Sequence, residues 1–176
     1  PMDANETAVA WQAAVARRKA PTTLILTRQA VPTVDRSSYA PAQGLLKGAY
    51  ILKDVGKGKP RLILMASGSE VQLILEAGAT LEGQGIACRL VSFPSWELFA
   101  EQPPAYHAEV LPADIPLRIA IEAGVAQGWE RWMGGQGRIL SIEKFGASAP
   151  YKTIFEQYGL TAEKLVATAV ELLGGE

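Results

Sequence analysis

Residues 62–92, LILMASGSEVQLILEAGATLEGQGIACRLVS, decide the fold class. Leu62-Ile63-Leu64-Met65-Ala66 is apolar at every position and reads as a strand. Val71, Ile74, Leu75, Gly78 and Leu81 then recur at helical spacing, and the helix stops at Gly83. A second apolar run, residues 86–92, follows a short turn. Strand, helix and strand in this order define a β-α-β unit, which builds a parallel sheet through a right-handed crossover.

Working outward, Ala49-Tyr50-Ile51-Leu52 and the 62–66 run flank a polar connection, Lys53 to Lys59, which predicts an antiparallel pair. Downstream, short helices containing Trp96, Leu98 and Phe99, then Tyr106 and Val110, precede a strand at 117–121. Residues 125–133 read as helical before a short strand at 138–142. The last helix, from Thr161, presents Ala162, Leu165, Val166, Ala169 and Leu172 on one face and ends at Gly174-Gly175. The expected fold is α/β, a mostly parallel five-stranded sheet with one antiparallel strand and helices on both faces.

The amino-terminal stretch has a different character. Asp3 and Glu6 resemble a capping box, and Ala4, Ala8, Trp11 and Val15 recur at helical spacing, so residues 4–19 are predicted to form an amphipathic helix. After Pro21, residues 22–27 are β-branched and apolar and predict a buried strand ending near Arg28. Residues 29–44 carry Pro32, Asp35, Ser37, Ser38, Pro41 and Gly44 with no sustained period, and read as a linker. One helix and one strand cannot bury their own faces, so this segment is expected to belong to a sheet lying mostly outside the chain. The start at Pro1 rather than at a methionine suggests the same truncation.

Composition narrows the function. Lys and Arg number 17 against 18 Asp and Glu, and no basic cluster is dense enough for a nucleic-acid footprint. No apolar run reaches the roughly 18 residues of a membrane helix, and the amino terminus has no secretory pattern. The single cysteine, Cys88, lies in an apolar run, reads as a buried thiol and can form no internal disulfide, which suits a reducing cytoplasm.

In a doubly wound sheet the ligand edge is the carboxyl end of the strands, which puts Ser67-Gly68-Ser69, Ser92, Glu122 and Glu143-Lys144 there. Ser67, Gly68 and Ser69 form a possible anion site at a helix start, although Glu70 already places negative charge in that turn. No G-x-G-x-x-G follows a strand and no P-loop occurs. His107, the only histidine, reads as a surface or packing residue, and with one cysteine it cannot supply a zinc site. Trp96, Trp129 and Trp132 read as core or interface. Arg28 ends an apolar strand, where its guanidinium could hold an anion beyond the sheet edge or form a structural ion pair.

Four stretches in order, Asp3-Ala4-Asn5-Glu6-Thr7, Leu26-Thr27-Arg28-Gln29, Ser67-Gly68-Ser69-Glu70-Val71 and Lys144-Phe145-Gly146-Ala147-Ser148-Ala149-Pro150-Tyr151, resemble the end of transketolase. The resemblance covers essentially the whole chain. It implies that residues 1–28 are the tail of a pyrimidine-binding domain, 29–44 an interdomain linker and 45–176 the carboxy-terminal domain. For a full-length parent it implies transfer of two-carbon ketol units between sugar phosphates, thiamine diphosphate and magnesium as cofactors, and a cytoplasmic homodimer. The family's catalytic and cofactor-binding residues lie upstream, so no catalytic residue, metal ligand or bound cofactor is expected in this chain, and the isolated fragment is expected to be inactive and structural or regulatory. One residue carries over: the arginine of the family's Ser/Thr-Arg-Gln stretch contacts the sugar phosphate, and here it is Arg28. Ala30-Val31-Pro32 stands where Asn-Leu-Pro is usual, and Glu143-Lys144 where Asp-Arg is common. Two alternatives stay open: a free-standing flavodoxin-like module that binds a small anion or metabolite at the 67–70 and 143–147 loops, and an element that braces a dimer through its tryptophans and exposed helices.

Overall fold

A computed structural model of the chain describes residues 1–174. In chain order the elements are α1 Ala4–Ala16, β1 Tyr50–Val55, β2 Leu62–Ala66, α2 Val71–Gly83, β3 Cys88–Ser92, α3 Trp96–Ala100, α4 Pro104–Val110, β4 Leu117–Ile121, β5 Gln136–Leu140, α5 Tyr151–Tyr158 and α6 Ala162–Gly174. Short 3-10 turns lie at Ala42–Lys47, Gly68–Glu70 and Trp129–Trp132. The predicted stop at Gly174-Gly175 is reached only as far as Gly174; Gly175 lies outside the described residues.

The five strands form one sheet in the order β1-β3-β2-β4-β5. β2, β3, β4 and β5 run parallel, and β1 alone runs antiparallel. The fold class matches the expectation, but the antiparallel partner does not: β1 pairs with β3, Tyr50 opposite Ser92 and Val55 opposite Cys88, rather than with β2. The reason is polarity. β2 is apolar throughout and buried at all five positions, so it takes a central place with a parallel neighbour on each side. β1 carries Lys53 and Asp54, both exposed, which suit an edge strand. Gly56, at φ +84°, makes the exit turn, where a Cβ would come within 2.7 Å of the Ala87 Cα.

Alternate side chains of β2 feed two cores. Leu62, Leu64 and Ala66 face a layer that includes Ile74, Leu81, Leu165 and Ala169 of α2 and α6. Ile63 and Met65 face the opposite layer with Phe93, Phe99, Trp129 and Trp132. Phe93 lies edge-on to Phe99 at 4.9 Å and to Trp129 at 5.5 Å. The tryptophans at 129 and 132 are therefore core residues. Cys88 is fully buried in the first layer, and burial, with Asp54 and Glu82 nearby, pushes its thiol up to about 12.

Four local expectations change. Residues 125–133 contain only a 3-10 turn at Trp129–Trp132, because Gly128 sits at φ +97° against the Trp96 ring. The last strand begins two residues early, at Gln136, and ends at Leu140. Helix α5, unexpected from the sequence, starts after Pro150, whose fixed φ suits a helix start. The expected strand at 22–27 forms no ladder, and Ile25 and Leu26 are 83% and 52% exposed. A strand needs a neighbour, and among the described residues no strand lies beside this segment.

Candidate functional site

Helix α1 ends at Ala16, earlier than expected, and buries a face other than the predicted stripe. Ala4, Ala8, Trp11 and Val15 all point outward, while Glu6, Val9 and Ala10 turn in. Asp3 caps the helix by accepting from the Glu6 N–H at 2.8 Å. The return half of a capping box is absent, since the Glu6 carboxylate is drawn to other donors. Its Oε1 accepts from the Tyr50 hydroxyl at 2.7 Å and the Ser92 hydroxyl at 2.6 Å, and its Oε2 accepts from the Met2 N–H at 2.8 Å. Tyr50 begins β1 and Ser92 ends β3, so Glu6 is bound to the carboxyl edge of the parallel strands.

A second carboxylate extends this network. Asp3, 2% exposed, accepts from Arg36 Nη2 at 2.9 Å and from the Val34 N–H at 3.2 Å. Arg36 also donates to the Ala40 carbonyl and the Tyr50 hydroxyl. Residues 29–44 are thus irregular but firmly held, and the Ala40 N–H donates to the Leu52 carbonyl at 3.0 Å. The Tyr50 hydroxyl, buried and beside Glu6, is held far above its ordinary pKa by burial and by that charge. Sequence reasoning placed Ser92 at this edge but missed Glu6, Asp3 and Arg36. The available signal was the pair of acids, Asp3 and Glu6, just ahead of the apolar run Ala8-Val9-Ala10-Trp11.

Further along the edge, after β2, lie Ser67, Gly68 and Ser69, all half-buried. The Ser69 hydroxyl donates to Glu70 Oε1 at 2.6 Å and accepts from Gln29 Nε2 at 3.2 Å. Glu70 is 5% exposed, and burial together with the charge of Glu122 pushes its carboxyl up to about 7. Glu122, at the end of β4, accepts from Trp129 Nε1 at 3.1 Å. Arg28 lies on the irregular segment beside this turn, exposed, with no hydrogen bond or ion pair to any described residue. The structure therefore brings Gln29, Ser69 and Glu70 into one hydrogen-bonded chain, within the field of Glu122, and leaves the Arg28 guanidinium free at its border.

The remaining candidates lie elsewhere. Glu143 accepts from the Ala126 N–H and the Ser141 hydroxyl, which hold its carboxyl below the usual range. Phe145 is 99% exposed, and its carbonyl accepts from the Tyr158 hydroxyl at 2.9 Å. The open groove beside it, about 230 Å³, is lined by Ser141–Lys144, Gln157 and Tyr158. His107 Nε2 donates to the Phe99 carbonyl across 2.6 Å, and the imidazole packs on the Phe99 ring at 4.6 Å. Among the described residues no three His, Cys, Asp or Glu side chains are grouped to hold a metal ion, and no helix is long and apolar enough to cross a membrane.

An antiparallel edge strand on a four-stranded parallel sheet, with a buried acidic network at the carboxyl edge, defines a doubly wound α/β domain whose ligand edge is covered by its own amino-terminal segment. Residues 48–161 match the transketolase-like TK C-terminal domain family, and the chain belongs to that family. Transketolase from Aquifex aeolicus is 46% identical over 171 residues, which are 97% of this chain and 25% of the relative. Among solved structures, transketolase from Leishmania mexicana superposes with a TM-score of 0.86 at 38% identity, covering 98% of this chain and 24% of that one. A Pichia stipitis transketolase in complex with sedoheptulose-7-phosphate gives 0.87 at 32% identity, covering 99% and 24%. The chain thus spans about a quarter of the length of the relatives it matches.

Proposed function

We propose that this chain is the carboxy-terminal piece of a transketolase whose full-length form moves two-carbon ketol units between sugar phosphates, and that the piece alone is catalytically inert. The observation that carries this reading is the outward stripe of Ala4, Ala8, Trp11 and Val15 on a helix pinned to the sheet edge by Glu6, together with the exposed Ile25 and Leu26 further along the same segment. Trp11 is 57% and Val15 68% exposed. Apolar side chains held rigidly in water mark a contact surface, and the chain's relatives are about four times its length. The natural occupant is the rest of the parent polypeptide. Residues 1–28 are then the tail of the preceding pyrimidine-binding domain, 29–44 the linker and 45–176 the carboxy-terminal domain, a division supported by the family match at 48–161.

Arg28 fits its assigned role in that parent. It is exposed and unpaired, so its guanidinium can meet the phosphate of a sugar phosphate without first breaking an ion pair. A charged hydrogen bond gives roughly 1.5–3 kcal/mol, so other groups, outside this chain, must complete the site. The residues here do not fit thiamine diphosphate with magnesium. Among the described residues no three His, Cys, Asp or Glu side chains group to hold a metal ion, and Glu70, the carboxylate nearest the strand edge after β2, is buried with its carboxyl pushed up to about 7. The cofactor, its metal and the homodimer contacts that complete the active site belong to the parent. A cytoplasmic setting for it rests on the lone, buried, unpaired Cys88.

A free-standing anion-binding module is less well supported. At the 67–70 turn the Ser69 hydroxyl is already engaged as donor and as acceptor and Glu70 adds a buried acid, and at the 143–147 loop the Glu143 carboxylate faces the same groove that an anion would enter. The deciding assay is ketol transfer from xylulose 5-phosphate to ribose 5-phosphate with thiamine diphosphate and magnesium, for this chain and for the full-length protein. Activity in the full-length protein alone is the expected result. Activity in the isolated chain overturns the reading.

A further inference from the structure

The Arg28 side chain is free, but the backbone on its carboxyl side is held. Thr27 Oγ1 donates to the Gln29 carbonyl at 3.2 Å, which closes a small turn around Arg28. Gln29 Nε2 then crosses 40 positions of sequence to donate to Ser69 Oγ. A hydroxyl has one proton and two lone pairs. The Ser69 proton goes to Glu70, so a lone pair is left facing Gln29. Glu70 is fixed in turn by burial. Two residues on, in α2, Gln72 Nε2 donates to the Pro32 carbonyl at 3.3 Å, a second tie to the same segment.

From this arrangement we infer that Ser69, acting through Gln29, is a positioning residue of the sugar-phosphate site, so that the carboxy-terminal domain sets where the Arg28 guanidinium stands. The inference rests on the reading of Arg28 as the phosphate contact. A flexible arginine on an untethered loop would lose conformational entropy on each binding event. The Gln29–Ser69 bond removes part of that loss in advance, and it acts on substrate affinity rather than on the chemical step.

The test uses the full-length enzyme with Ser69→Ala, Ser69→Thr, Gln29→Leu and Arg28→Ala. Ser69→Ala and Gln29→Leu are each expected to raise KM for the phosphorylated substrates about fivefold, the worth of one neutral hydrogen bond, with kcat little changed and, for Gln29→Leu, the thermal midpoint little changed as well. Ser69→Thr keeps the hydroxyl and is expected to restore KM. An unphosphorylated ketol donor is expected to show no rise, and in an Arg28→Ala background Ser69→Ala is expected to add nothing. Gln29 lies on an irregular segment, so its variant reports even if Ser69→Ala disturbs folding. If Arg28→Ala raises KM about tenfold or more while Ser69→Ala and Gln29→Leu leave it unchanged, the positioning role is wrong and the phosphate reading stands. If Arg28→Ala leaves KM unchanged, both fall.

Discussion

Removing the Glu6 carboxylate leaves the Tyr50 hydroxyl, the Ser92 hydroxyl and the Met2 N–H without an acceptor in a place that water does not reach. Glu6→Ala is therefore expected to cost about 3–5 kcal/mol, read as a lower urea midpoint at pH 7; a loss below about 1 kcal/mol would mean the network is not formed. Glu70 has the opposite relation to stability. Its folded pKa of about 7 stands above the ordinary 4.5, so between those values the folded protein keeps a proton that the unfolded chain has released. Stability accordingly falls as pH rises from about 4.5 to 7 and stays at the lower level above. Glu70→Gln should match the parent chain near pH 4, exceed it at pH 8 and flatten the slope between, in chemical denaturation at each pH. Neither behaviour was legible in the sequence, where both residues look like ordinary acids of a helix's first turn. Burial decides them, and burial depends on strands more than twenty positions away.

Among the elements, those that bury both faces were the readable ones. The sequence pattern places β2, α2 and β3 correctly because an apolar run or a 3.6-residue stripe has one satisfactory environment. Strand pairing was read less well, since β1 lies beside β3 for reasons of sheet position rather than adjacency in the chain. Junctions depend on single backbone angles. Gly48, at φ +84°, ends the 3-10 turn at Ala42–Lys47 and packs where a Cβ would fall on the backbone of Ser95 and Phe99 at the start of α3. Gly48→Ala meets both a strained φ and a clash, and is expected to destabilise by about 2–4 kcal/mol; Gly83→Ala, in open space inside α2, is the control and is expected to be neutral or slightly stabilising. Thermal denaturation of the pair separates the two.

For the whole molecule, the outward stripe separates this chain from the longer protein proposed to contain it. Trp11→Ser with Leu26→Ser is expected to change the stability of the isolated chain by less than about 1 kcal/mol, because each side chain is more than half exposed. The same pair in the full-length protein should lower its thermal midpoint; equal small effects in both would remove the stripe as a domain contact. The isolated chain is also expected to show no thermal shift with thiamine diphosphate and magnesium, whereas a ligand at 100 times its Kd would add about 2.7 kcal/mol. The sequence by itself determined the α/β class, the β-α-β unit, the α2 and α6 faces and the family, because apolar periodicity and ordered motifs are local properties of the chain. Only the tertiary structure decided which face of α1 turns inward, that residues 22–27 remain without a ladder, and that Gln29 meets Ser69. Each of these depends on which donors, acceptors and neighbouring strands the fold brings within reach, and that is set by packing between segments far apart in the chain.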